Sequence, residues 1–224
     1  MKNICVFDVN ETLLDLKVMN DEFKRVFGDA KVGQVWFGQL IQSSLVSIVT
    51  NIYSNFGKIG AAALDMVTEQ QSITLYSVDK IAILSKIKNL PPHPEVPRSL
   101  ARLKKAGYTL VSLTNSTNEI VEAQLKNAKL SKYFDRMFSA DTVRRLKPAP
   151  EPYKMVADHF GIKMSNLRLI AAHSWDIAGA LRVGYKAAFV ARPGKVLDPL
   201  VERPDIVGTN LREIVDQILT KENL

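Results

Sequence analysis

The stretch Asn3-Ile4-Cys5-Val6-Phe7-Asp8-Val9-Asn10-Glu11-Thr12 decides the fold. Asn3 to Phe7 is a short β-prone apolar run, the pattern of a strand covered on both faces. A carboxylate, Asp8, follows at once. Downstream, strand-like and helix-like runs alternate. Tyr108–Leu113 reads as a strand, Asn118–Asn127 as a helix and Arg136–Ser139 as a short strand. Pro152–Phe160 reads as a helix, Leu167–Ala172 as a strand and Asp176–Val183 as a helix; Lys186–Val190 is a strand and Leu211–Leu219 a last helix. This alternation predicts an α/β fold, a parallel sheet flanked by helices on both faces.

The alternation is interrupted from Val18 to about Leu90. Val35 to Tyr53 carries Trp36, Leu40, Leu45, Ile48, Val49 and Ile52 at helical spacing, and Gly57–Met66 and Val78–Ile87 read as further helices. With no strand among them, these form a helical insert. Leu90 to Pro97 holds four prolines and reads as the linker that returns the chain to the core, with His93 a solvent-exposed linker histidine.

Ligands of open α/β sheets bind beyond the carboxyl ends of the strands, so the residues just after each strand carry the functional information. Asp8-Val9-Asn10-Glu11-Thr12 follows the first strand, Thr114-Asn115-Ser116-Thr117 the second, and His173-Ser174-Trp175-Asp176 a later one; Lys147-Pro148 precedes a helix. Taken singly, each has a bland role. Asp8, Thr12, Thr114 and Asn115 suit turns and helix caps, Lys147 a surface lysine, and Asp176 the first turn of a helix. Together, at one sheet edge, they suit a nucleophilic carboxylate at Asp8 oriented by Thr12 and Lys147, with backbone amides near Thr114–Ser116 holding an anion.

Composition narrows the classes. The chain has 224 residues, 46% apolar, enough for a sizeable core. Its single cysteine, Cys5, excludes an internal disulfide and a multi-cysteine zinc site, and reads as a small buried hydrophobe of a cytoplasmic protein. No uninterrupted apolar run reaches membrane-spanning length, and no signal-peptide pattern opens the chain. The net charge of +7 is scattered, without a basic tract or basic–aromatic ladder, so nucleic acid is not an expected partner. The charge reads as a solvated surface or as a field that steers small anionic substrates.

Phe7-Asp8-Val9-Asn10-Glu11-Thr12-Leu13-Leu14-Asp15, Leu113-Thr114-Asn115, Lys147-Pro148 and Ala172-His173-Ser174-Trp175-Asp176 resemble the four motifs of the haloacid dehalogenase superfamily. Leu-Thr-Asn-Ser, Tyr153 after Lys-Pro, and Trp175-Asp176-Ile177-Ala178-Gly179-Ala180 are most similar to the L-2-haloacid dehalogenases. The resemblance implies a Rossmann-like core at 1–14 and 96–224 and a helical cap at 15–95. It implies hydrolytic dehalogenation of short 2-haloalkanoates: Asp8 displaces halide from C2, and water then hydrolyses the ester with inversion at C2. In that scheme Thr12 and Lys147 stabilise Asp8, Asp176 positions water and Tyr153 supports Lys147. Thr114 and Asn115 bind the substrate carboxylate, with Asn10, Tyr153, His173 and Phe37 around the substrate. No metal or cofactor is expected, and a homodimer is.

Three positions depart from the resemblance. The arginine that follows a cap tryptophan and receives halide is Phe37 here, after Trp36; the only arginine of the insert is Arg25. Asn10 stands where the dehalogenases carry a less polar tyrosine or leucine and the superfamily's phosphatases an acid–base aspartate. It cannot transfer a proton in that way, a loss that halide departure tolerates. His173 replaces an asparagine and serves either as a base toward water or as a substitute hydrogen bond. Another hydrolase of the superfamily, acting on an ester or phosphate ester, and a non-catalytic anion binder are the alternatives.

Overall fold

The structure, a computed structural model, describes residues 4–221; the expected strand residue Asn3 lies outside them. Six strands, β1 (Ile4–Phe7), β2 (Thr109–Thr114), β3 (Arg136–Ser139), β4 (Leu167–Ala171), β5 (Lys186–Val190) and β6 (Ile206–Gly208), form one sheet in the order β3-β2-β1-β4-β5-β6. Every pair is parallel, and β1 is central, with Phe7 opposite Ser112 of β2 on one side and Ile170 of β4 on the other. This is the strand order of Rossmann-like folds, and its reversal beside β1 opens a crevice at the strand ends.

Alternation along β1 assigns its side chains to two cores. Cys5 and Phe7 join the apolar faces of α5 (Val96–Lys105), α6 (Asn118–Asn127) and α9 (Leu211–Lys221). Ile4 and Val6 pack with α7 (Pro150–Phe160) and α8 (Ser174–Arg182) on the opposite face. Cys5 is buried, in keeping with its reading as a small hydrophobe.

Between β1 and α5 the chain forms four helices, α1 (Asn20–Phe27), α2 (Val32–Val49), α3 (Phe56–Gln70) and α4 (Ser77–Ser85), and two short 3-10 helices, Leu16–Met19 and Lys86–Asn89. Val32, Trp36, Leu40 and Ser44 are buried along one face of α2 at four-residue spacing. The Trp36 indole donates to the Gly60 carbonyl of α3 at 2.9 Å. Asn55 caps α3 by accepting from the Lys58 amide at 2.9 Å. By length and composition α2 is the one helix among the described residues able to cross a membrane. Its glutamines and serines interrupt the apolar run, so the sequence criterion passes over it.

The insert joins the core through two adjacent segments. The Asp15 amide donates to Pro91 O at 2.8 Å, and the His93 amide to Leu13 O at 3.0 Å. The return segment ends earlier than its prolines imply, because Pro97 sits in the first turn of α5, where a missing N–H costs nothing. The expectation of a solvent-exposed His93 is corrected. Its ring is half-buried, with Nε2 3.2 Å from Glu11 O.

Candidate active site

Asp8 leaves the end of β1 at the crevice and is 5% exposed. Its Oδ2 accepts from the Thr12 hydroxyl at 2.6 Å, and the same hydroxyl accepts from the Ala172 amide at 2.9 Å. One turn of chain thus ties the β1 loop to the β4 loop and aims the carboxylate. Asp8 Oδ1 accepts from Lys147 Nζ at 3.0 Å.

Lys147 is fully buried, not a surface lysine. Its three ammonium protons go to Asp8, to Leu113 O at 2.8 Å and to Asp176 Oδ2 at 2.6 Å. The Lys147 backbone is held as firmly. Its amide donates to Asn115 Oδ1 at 2.7 Å, and Asn115 Nδ2 donates to its carbonyl at 3.2 Å. The Asn115 side chain therefore serves the lysine loop. The Thr114 hydroxyl accepts from the Ser116 amide at 3.2 Å. Tyr153 donates to Asp176 Oδ1 at 2.5 Å and is fully buried behind it. It supports Lys147 through Asp176 and does not line the cavity at Asp8, a correction to its place among substrate contacts. Gly179 of α8 permits this stack. A Cβ there would lie 2.6 Å from the Tyr153 hydroxyl and 2.8 Å from Pro148 O.

His173 stands on the other side of Asp8. Its Nδ1 lies 3.1 Å from Asp8 Oδ2 and its Nε2 2.8 Å from Glu11 Oε2. Glu11 in turn accepts from Lys195 Nζ at 2.6 Å. The His173 ring is sandwiched between Phe37 and Trp175, at centroid distances of 5.8 and 5.0 Å. Glu11 adopts a left-handed backbone, φ +59°, which is costly for a residue with a Cβ and is the kind of strain that functional sites hold.

These contacts set the charges. Burial pushes the Asp8 carboxyl up, but Lys147, His173 and Thr12 together outweigh it and hold Asp8 ionised far below the usual carboxylate range. Burial lowers the His173 pKa, and hydrogen bonds to Asp8 and Glu11 overcome it, raising the pKa to about 9. Burial raises Glu11, and His173 and Lys195 bring it below its ordinary value. Asp176 is raised by burial and by the neighbouring Asp8, against the pull of Lys147. One ammonium serves two carboxylates and each also accepts from a hydroxyl, Thr12 at Asp8 and Tyr153 at Asp176, but Asp8 alone has a second cation, His173.

The cavity at Asp8 is about 10 Å³, walled by Asn10, Phe37, Ile41, Phe56, Thr114 and Trp175. This narrow space has room for about one water, so a substrate enters by displacement of its walls. Phe37 also lines an outer cavity of about 420 Å³ that includes Glu11, Asp15, His93, Arg192 and Lys195. The Phe37 ring thus divides the inner cavity from the outer one.

The structure brings Asp8, Asn10, Thr12, Phe37, Thr114, Asn115, Lys147, His173 and Asp176 to one strand-end site, with Tyr153 behind it. Sequence reasoning missed Glu11 and Lys195. Glu11 lies within the first motif. Lys195 sits in the loop after β5, a strand end the same rule directs attention to. The magnesium site of the superfamily's phosphatases does not fit these residues. Ala172 and His173 stand where its additional acid is expected, and the Lys147 ammonium lies between Asp8 and Asp176. Among the described residues no group of three His, Cys, Asp or Glu could hold a metal ion.

The Rossmann-like sheet thus carries a buried, lysine-paired aspartate directly after its first strand. Residues 5–190 match the family of haloacid dehalogenase-like hydrolases, and the chain belongs to that family. It is 27% identical over 192 residues to (S)-2-haloacid dehalogenase 4A of Burkholderia cepacia, covering 85% of this chain and 83% of that one. It is 25% identical over 214 residues to haloacetate dehalogenase H-2 of Moraxella sp. (strain B), covering 95% and 96%. Its fold matches the L-2-haloacid dehalogenase of Xanthobacter autotrophicus, a structure with chloropropionic acid covalently bound. That match has a TM-score of 0.90 at 22% identity, over 98% of this chain and 99% of that one.

Proposed function

We propose that this protein hydrolyses the carbon–halogen bond of short 2-haloalkanoic acids through an ester on Asp8, without a metal. The observation that carries the reading is the state of Asp8: ionised, buried, aimed by Thr12 and Lys147, and beside Asn10 in place of a proton-transferring acid. An in-line displacement at C2 needs a carboxylate and no proton, and halide leaves as an anion. The relatives named as (S)-2-haloacid and haloacetate dehalogenases support the same substrate class.

The second half of the reaction uses His173. At neutral pH the resting imidazole carries a proton shared with Asp8 and Glu11. Ester formation removes the Asp8 charge, which lowers the His173 pKa and releases that proton. Neutral His173, held by Glu11, then takes a proton from water as the water attacks the Asp8 carbonyl. That proton passes to the departing alkoxide, and the proton left on the Asp8 carboxyl moves to His173 and restores the resting pair. Overall, one haloacid and one water give one hydroxyacid, one halide and one proton, with C2 inverted because only the first step touches it. Glu11 and Lys195 keep the imidazole oriented, as second partners do in other His-assisted hydrolyses.

Two copies pairing through the insert fit its surface. Val35, Leu45, Val46, Val49 and Ile52 form an exposed apolar stripe along and just beyond α2, and sedimentation reads the assembly directly.

Halide release from L- and D-2-chloropropionate and from chloroacetate, with and without a chelator, tests the activity. Chelator-resistant release from the L-isomer that vanishes in Asp8→Asn supports the reading. No release from any of the three overturns it and directs the search to esters and phosphate esters.

A further inference from the structure

The cations nearest Asp8 have no protons to spare. The Lys147 ammonium gives its three to Asp8, Leu113 O and Asp176, and both ring nitrogens of His173 face carboxylates. An anionic group entering the inner cavity must therefore be received there by neutral donors. Asn115 spends its Oδ1 and an Nδ2 proton on the Lys147 backbone. Asn10, which also lines the cavity, is differently placed.

Gln124 of α6 fixes which end of the Asn10 amide faces inward. Gln124 is fully buried, and its Nε2 donates at 2.8 Å to the Ile87 carbonyl and at 2.8 Å to Asn10 Oδ1. A carbonyl only accepts, so Ile87 forces nitrogen, not oxygen, to that end of Gln124. The same nitrogen then forces oxygen to the Gln124 side of Asn10. Asn10 Nδ2 is left without a hydrogen bond among the described residues. Gln124 Oε1 is itself buried and unpartnered. Burying such an atom is costly, and the rotation that would move it sets two carbonyl oxygens against each other at Ile87.

We infer that Gln124 is a positioning residue that turns the Asn10 amide so that its NH2 presents a neutral donor to an anion in the active-site cavity. The inference rests on the proposed small-anion substrate but not on carbon–halogen cleavage. Asn10 touches the ligand; Gln124 acts only through Asn10.

The test measures acetate binding calorimetrically, and KM and kcat for chloroacetate, in Asn10→Leu, Gln124→Met and the double variant. Asn10→Leu is expected to weaken acetate binding and raise KM about tenfold or more, the worth of a hydrogen bond to a charged group. Gln124→Met is expected to do the same to a smaller extent, and to add nothing in the Asn10→Leu background. An unchanged affinity in Gln124→Met, or an equal loss in both backgrounds, overturns the inference. Should Gln124→Met not fold, Gln124→Leu removes the same donor with a smaller apolar side chain. It is expected to free the Asn10 amide to turn and to weaken acetate binding, and unchanged binding in it overturns the inference. Turnover with acetate binding insensitive to both positions leaves the proposed function standing and removes this inference. Sensitive acetate binding without turnover does the reverse.

Discussion

Replacing Glu11 with glutamine separates the two halves of the proposed reaction. Glu11 Oε2 receives His173 Nε2 at 2.8 Å and Lys195 Nζ at 2.6 Å. Glutamine keeps the shape and one acceptor but removes the charge that stabilises the imidazolium. A hydrogen bond to a charged group contributes about 1.5–3 kcal/mol, so ester hydrolysis slows by roughly ten- to a hundredfold. Asp8 keeps Lys147 and Thr12, so displacement at C2 is little affected. The ester on Asp8 then outlives its formation and accumulates. Intact-protein mass spectrometry after rapid mixing with chloroacetate reads it as one added carboxymethyl group, mapped to Asp8 by peptide analysis. Steady-state kcat falls while the burst of halide persists. A variant with wild-type kcat and no accumulated ester would refute the role given to His173 and Glu11. A loss of the halide burst itself would place Glu11 in the displacement step instead.

Three further outcomes follow from the same geometry. Lys147→Met leaves Asp8 and Asp176 buried without their shared ammonium and is expected to destabilise the fold by about 3–5 kcal/mol, read by urea unfolding. His173 has a folded pKa of about 9 against an ordinary 6.5, so its pairing stabilises fully below pH 6.5 and is lost as pH rises through 9. The drop in Tm over that interval is expected to flatten in His173→Asn. Gly179→Ala drives a methyl against the Tyr153 hydroxyl and Pro148 O, and is expected to cost about 1–3 kcal/mol of stability and to lower kcat by displacing Lys147.

Much of this architecture is legible in the sequence because strand burial leaves a clear pattern. The Ile4–Phe7 run and the carboxylate after it place Asp8 at the crevice without further information. Three elements escape such reading for physical reasons. α5 begins inside a proline cluster, and its first-turn Pro97 looks like a linker residue. β6 is a three-residue edge strand, too short for alternation to register. α1 is short, and Phe23 is its one buried residue. At the site, the motif positions name Asp8, Lys147 and Asp176, but not their partners. Glu11 reaches His173 because its backbone is left-handed, and no local pattern announces that in a residue other than glycine. Gln124 meets Asn10 across 114 positions of sequence, a contact that only the packing of α6 beneath the insert creates. Tyr153 is not among the substrate contacts for a related reason: sequence gives its proximity to Lys147, whereas Asp176 between them takes its hydroxyl and keeps it behind the site.

In the proposed reaction Asp8, and not water, attacks the carbon bearing the halogen. A single turnover of L-2-chloropropionate by excess enzyme in heavy-oxygen water tests it most directly. The heavy oxygen is expected to enter the Asp8 carboxylate, while the released hydroxyacid takes its new oxygen, unlabelled, from Asp8. Heavy oxygen in the hydroxyacid and none in Asp8 would contradict it.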